Sequence, residues 1–413
     1  MISKLFILSL LMLSLSGCVT KTVKTTKIPP LKTVAVVAPE HLLLDVAVPL
    51  FDPGLDDEEV KDITIFPELR KAEAAYMSML LAEALLETGA WGAVRVVPDN
   101  ETMMDVRVDG TILHSDGEHL KLNIVVTDSR NRKWLDKGYE ARASLYAYEA
   151  STRTQFDAFQ AVYNNIANDL LEVLKLIQEK ERVSIRNISE LSFAKSFSPD
   201  AFKNYLVTNR DKEQTMIRLP AESDPMLKRV RGIREKDFMY VDTLQNYYSA
   251  FCEGMKEPYQ KWRSLNLEET LALREQQREY RARLIAGGLS VAAGIAATTS
   301  DDRTTRAAGA AAVMGGGYLL KSGLEIRNQA QIHVGRLEEL GLMLEAKVTP
   351  RVIQLEDQTM LLNGTITEQY AQWREILAEI YREETAMPEI EVGENPFSGA
   401  EAAAEEPGST LSQ

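Results

Sequence analysis

The residues best equipped for chemistry are four histidines, an interior cysteine and several runs of carboxylates. His114 and His119 flank Ser115-Asp116-Gly117-Glu118, a strong turn signal between two alternating apolar segments. A hairpin there would bring both imidazoles to one tip, with Asp116 and Glu118 between them. Such a set could ligate a divalent ion, but His-x-x-x-x-His across a turn matches no standard ligand spacing. The spacing therefore predicts two solvated histidines and no metal site. His41 and His333 stand alone. Cys252, in "YYSAFCEGM", lies among aromatics on a predicted helix and reads as a buried, inert thiol; an intermolecular bridge or a reactive thiol is the alternative. Asp56-Asp57-Glu58-Glu59 falls in a polar loop, whereas acid–base work needs perturbed, partly buried carboxylates.

No G-x-S-x-G, H-E-x-x-H or P-loop pattern is present. Gly315-Gly316-Gly317 sits inside an apolar helical pattern and lacks the Lys-Ser/Thr of a phosphate cradle. The expectation is a protein that is not an enzyme and needs no cofactor. The net charge of −14 argues against nucleic acid, which requires a basic surface. Six glutamates and no basic residue lie in 387–413, so that predicted disordered acidic tail supplies much of the imbalance.

Positioning these residues requires a fold, and the pattern along the chain predicts an α+β one. "TVAVVA" (33–38) and "LLLDVAVPLF" (42–51) contain at least one buried strand. Residues 67–89 read as an amphipathic helix, with Pro67 in its first turn and Gly89 at C′. Strands follow at 93–98, 104–114, 119–128 and from 133, then a helix over 156–180. Residues 33–182 thus form a small α/β sandwich with an antiparallel-rich sheet.

The remainder reads as mainly helical. Residues 183–265 are aromatic-rich helices broken by Pro220, Pro225 and Pro258. Tyr240, Tyr247, Tyr248, Phe251, Tyr259 and Trp262 form a helical patch there, mostly core by pattern, with a partner-binding face as the other reading. Residues 266–386 read as a long antiparallel helical hairpin plus a third helix from about 351.

The hairpin's middle, 284–320, is Gly/Ala-rich and apolar. Ala286, Ser290 and Gly294, like Ala308, Ala312 and Gly316, recur every four residues and form a flat ridge for close helix packing. A stretch such as 284–297 would be about 21 Å long at 1.5 Å per residue, short of a hydrocarbon core of about 30 Å. Spanning would also draw Asp301, Asp302, Arg303 and Arg306 into lipid at about 2.5–3.5 kcal/mol each. A packed hairpin leads on these costs; membrane insertion and a homo-oligomer zipper stay open.

The amino terminus carries an address. Lys4 precedes the apolar run "LFILSLLMLSLSG", which describes a secretory signal over 1–17. Leu15-Ser16-Gly17-Cys18 resembles a bacterial lipobox. The resemblance implies lipidation of Cys18, cleavage before it, a stable membrane anchor and a tether over 18–32. Val19 after the cysteine implies sorting to the outer membrane; the periplasmic face is the expected side, with the cell surface as the alternative. Cys252 would then be the one cysteine left, with no intramolecular disulfide.

"VAVVA", the helix running into "ETGAWGAVRVVP", and "DVRVDGTIL" together resemble the α/β domain of proteobacterial envelope lipoproteins of the CsgG and TolB amino-terminal type. The likeness covers about a third of the chain and brings no pore-forming hairpins with it. The resulting expectation is a lipid-anchored docking or scaffold component of a cell-envelope assembly. Its partners would be the membrane through its lipid, other envelope proteins and further copies of itself. A membrane-inserting or oligomerising protein using 284–320, or a peptidoglycan-associated lipoprotein, are the alternatives.

Overall fold

Five strands form a sheet in the order β2-β1-β3-β4-β5 in the computed structural model, which describes residues 28–55, 67–98, 102–151, 155–294, 351–355, 358–362 and 365–386. The strands are β1 (Val46–Pro49), β2 (Val94–Val97), β3 (Val106–Ser115), β4 (His119–Asp128) and β5 (Lys133–Arg142). β1 lies parallel to both β2 and β3, while β3, β4 and β5 form an antiparallel meander. In β4, Leu120, Leu122, Ile124 and Val126 alternate into the core, the period of a half-buried strand.

Two helices cover the sheet, α1 (Pro67–Glu87) and α2 (Gln160–Leu176). α1 ends where expected: Gly89 adopts φ +67°, the left-handed C′ conformation that glycine accepts without a Cβ clash. Leu86, in its last turn, is 59% exposed. Then come α3 (Glu179–Phe197), the short α4 (Pro199–Phe202), and the strands β6 (Leu206–Thr208) and β7 (Gln214–Met216). α3 runs unbroken across 182/183, and one hydrophobic cluster extends from Leu44 to Tyr381.

α5 (Pro225–Gly294) is a single helix of 70 residues, about 105 Å long at 1.5 Å per residue. Pro225, expected as a break, stands at its start, but Pro258, expected as another, lies inside it and does not break it. The proline removes one backbone bond and crowds the Gly254 carbonyl, a penalty of about 3 kcal/mol. Burial of Met255, Tyr259 and Trp262 on both sides of Pro258 holds the helix through it.

One further expectation is narrowed and another needs correction. Residues 33–38 form no strand, and Val36 and Val37 face solvent; the strand is Val46–Pro49. The third helix does not start near 351: β8 (Arg351–Leu355) and β9 (Gln358–Leu362) pair antiparallel. Their β-branched Val352, Ile353 and Thr359, joined by a two-residue link, outweigh the helix propensity of the Leu and Gln between them. Helix α6 (Ile366–Ala386) begins later, at a capping box. There the Glu368 N–H donates to Thr365 Oγ1 at 3.2 Å, and the Thr365 N–H donates to Glu368 Oε2 at 2.8 Å.

The second arm of the expected hairpin, with Ala308, Ala312 and Gly316, lies outside the described residues. So do Cys18, His333, Asp56–Glu59 and the tail. Ala286, Ser290 and Gly294 lie on the last turns of α5.

Candidate functional site

The sheet and α1 hold α5 along one stripe of its surface. The stripe begins at the sheet edge. Gln245 of α5 accepts from the Val96 N–H at 3.0 Å and donates to the Val96 carbonyl at 2.8 Å, pairing edge strand β2 as a neighbouring strand would. Asp242 meets the Arg95 guanidinium with both oxygens, at 2.5 and 3.0 Å. About two to five turns on, Cys252, Met255, Tyr259 and Trp262 pack against Leu69, Ala72 and Tyr76 of α1.

The stripe then becomes ionic while staying buried. Arg263, with no exposed side-chain surface, donates from NH1 to Asp157 Oδ1 and Oδ2 at 3.1 and 3.0 Å. Its NH2 donates to Tyr259 Oη at 2.7 Å, and the guanidinium lies 3.8 Å from the Tyr259 ring centroid. Tyr259 hydrogen-bonds Glu73, which also accepts from Ser115 Oγ at 2.7 Å and pairs with Arg70 at 3.1 Å. Tyr76 donates to Asp157 at 3.3 Å. The network thus joins α1, the end of β3, the residues before α2, and α5. Burial lowers the proton affinity of Arg263, but Asp157 and the surrounding tyrosines outweigh it and hold the group charged. Burial first, then Asp157, pushes the Tyr76 hydroxyl well above its ordinary value, so it serves as a donor.

The β3–β4 turn completes the seat. Asp116 Oδ1 accepts the N–H groups of Glu118 and His119, both at 2.6 Å, and its Oδ2 meets His114 Nε2 at 2.9 Å. The two imidazoles come to one tip, 6.4 Å apart, as the hairpin predicted. The tip is not free, however, because Gly117 lies against α5. A Cβ there would fall 2.0 Å from the Arg263 carbonyl oxygen and 2.8 Å from the Leu267 nitrogen. The Gly117 N–H donates to Asn266 at 3.1 Å. Glu118 turns inward, 2% exposed at its side chain, to Arg142 of β5 and Arg274 of α5. Among the described residues, no group of three or more His, Cys, Asp or Glu could hold a metal ion.

Of the aromatic patch, Tyr240, Tyr248, Tyr259 and Trp262 are buried within this chain, and Tyr247 and Phe251 are half-buried. The first four are therefore core residues and not a face open to a partner. Tyr240, for example, stacks on Trp373 of α6 at 5.2 Å. Cys252 is buried as expected, and burial, with Glu83 beside it, raises its thiol far above the ordinary range.

Pattern reading missed Glu73, Asp157 and Arg263, and it placed Glu118 at a solvated tip where the structure turns it inward. One signal was present. Arg263 follows Cys252, Met255 and Tyr259 at helical spacing, a charge on a stripe that is otherwise apolar.

No family model, curated protein or solved structure matches the chain. Among the described residues, no helix is long and apolar enough to cross a membrane.

Proposed function

We propose that this protein is a non-enzymatic, lipid-anchored docking or scaffold component of a cell-envelope assembly, held at the membrane through Cys18. The α+β body is its base, and α5 is a rigid arm. The observation that carries this reading is the seat of α5. Contacts from Asp242 to Arg274 fix about 48 Å of the helix at 1.5 Å per residue, and the helix continues to Gly294. Most helical stability in proteins comes from tertiary packing, and such packing also gives a helix of this length one direction. A buried ionic network suits that task, because opposite charges shut off from water fix register as well as contact.

The address rests on the lipobox resemblance and the docking role on the resemblance to CsgG and TolB amino-terminal domains. The Ala286–Ser290–Gly294 ridge at the far end of the arm would pack against another helix, in this chain or in a partner.

In-cell photo-crosslinking from positions in 284–294, with position 247 as a body control, tests the proposal. Discrete products from the arm, lost in C18S, support it. A clean monomer from every position would overturn the assembly role. Protection of 284–320 from protease only in the presence of liposomes would replace it with membrane insertion.

A further inference from the structure

At the end of β3 opposite the hairpin tip, a cleft of about 570 Å³ opens between the sheet, α3 and the first turns of α5. Small-molecule sites occupy about 300–1,000 Å³. Asp45 and Asp105, just ahead of β1 and β3, line its floor. The Asp45 N–H donates to Asp105 Oδ2 at 3.0 Å, and the Ala93 N–H donates to Asp45 Oδ1 at 2.8 Å. Each carboxylate so uses one oxygen on the backbone. The other oxygen of each accepts no hydrogen bond from a described residue.

Guanidinium groups line the wall. Arg231 is closed off by Glu190, which takes both arms of its fork at 2.7 and 3.0 Å. Arg186 and Arg234 are not closed off. Arg186 gives NH1 to the carbonyls of Glu40 and Leu43, the latter at 2.9 Å, and its other nitrogens meet no described acceptor. Arg234 gives NH2 to Ser189 Oγ at 2.8 Å and lies 5.0 Å from the Phe238 ring centroid. Its Nε is buried and unpartnered, a situation folded proteins seldom leave unexplained.

Arg234 is within electrostatic reach of both Asp105 and Asp45 but forms no direct ion pair with either. Backbone and serine contacts instead hold acids and bases apart across the cleft. Burial raises the proton affinity of Asp105, so keeping a carboxyl there works against stability. Charges held apart in one cavity match a ligand that carries both signs itself.

We propose that this cleft binds a small zwitterion, an amino acid or short peptide, whose carboxylate meets Arg186 and Arg234 and whose ammonium meets Asp45 and Asp105. The guanidinium fork suits a planar carboxylate. Two carboxylate oxygens without protein donors suit an ammonium. Phe238 and Val183 offer apolar surface to whatever separates the two charges.

Calorimetric titration of the detergent-solubilised protein with dialanine tests this, with acetate and ethylammonium as half-ligands. Dialanine is expected to bind, and each half-ligand at least about 100-fold more weakly, because joining two contacts multiplies their effect. R186Q and D45N, both partly exposed positions, are each expected to weaken dialanine about tenfold or more by removing one charge-assisted contact, with circular dichroism unchanged. No heat from alanine, dialanine or trialanine at millimolar concentration would overturn the proposal. So would acetate binding as tightly as dialanine, or a dialanine affinity that both variants leave intact. If a variant loses its fold, the three wild-type titrations decide alone.

Discussion

Arg263 NH1 stands 3.0 and 3.1 Å from the two carboxylate oxygens of Asp157, and both side chains are shut off from water. They are 106 positions apart, so this pair closes α5 onto a distant part of the chain. D157N leaves the guanidinium buried without its counter-charge. Urea unfolding is expected to show a loss of about 3–5 kcal/mol. D157N/R263M should lose less than D157N alone, since the stranded charge is gone. Equal losses in the two variants would count against an ionic seat.

Gly117 tests the approach of the hairpin tip to the helix. G117A places a methyl against the Arg263–Leu267 backbone of α5, which cannot rotate away. Overpacking typically costs about 1–3 kcal/mol, and the upper end is expected here. Hydrogen exchange should quicken in 263–274 and stay unchanged in β1 and β3. Unaltered exchange throughout α5 would mean that the tip does not seat the helix.

Cys252 should ignore a soluble maleimide in the folded protein between pH 7 and 9 and react at once in denaturant. Burial removes access and also holds the thiol protonated across that range. Rapid native labelling would require α5 to open from α1.

Asp105 gives a prediction with a definite sign. Burial raises its folded-state pKa above the unfolded value; the Arg234 charge, the hydrogen bond from the Asp45 N–H and the Arg186 charge act the other way, and the Asp45 carboxylate adds to the rise. Such a group favours folding most below its unfolded pKa, and that contribution is lost as pH rises through the folded pKa. D105N removes the charged form while its amide oxygen still accepts from Asp45. The melting temperature should therefore rise at pH 7, with the gain shrinking toward pH 3. A gain that grows on acidification would reverse the assignment.

The anchor is tested separately. C18S should abolish incorporation of labelled palmitate and release the protein from the membrane fraction, because several acyl chains on one residue make a stable attachment. Labelling retained in C18S would place the lipid elsewhere.

The strands and helices of the body were legible because their signals are local. The alternation in 119–128 sets β4, and Gly89 closes α1. Gly117 was legible only in part. The turn was read correctly, yet glycine is required there because α5 passes directly over it. α1 has little amphipathic contrast, since Arg70, Glu73 and Ser78 are buried alongside its apolar residues between the sheet and α5. Pro258 misleads for the opposite reason: a strong local breaker is overruled by packing on both sides.

Sequence by itself determined the α+β class and the order of elements from β1 to α2, the hairpin that brings His114 to His119, the burial of Cys252 and the expectation of a lipid at Cys18. Tertiary structure alone decided that Glu73, Asp157 and Arg263 converge and that Glu118 turns inward to Arg142 and Arg274. It also decided that Asp45 and Asp105 face Arg186 and Arg234 across one cleft. Periodicity reports which face of an element is apolar, because that depends on neighbours three or four positions away. A buried charge is tolerable only where its partner waits, and those partners come from elements a hundred residues apart in the chain.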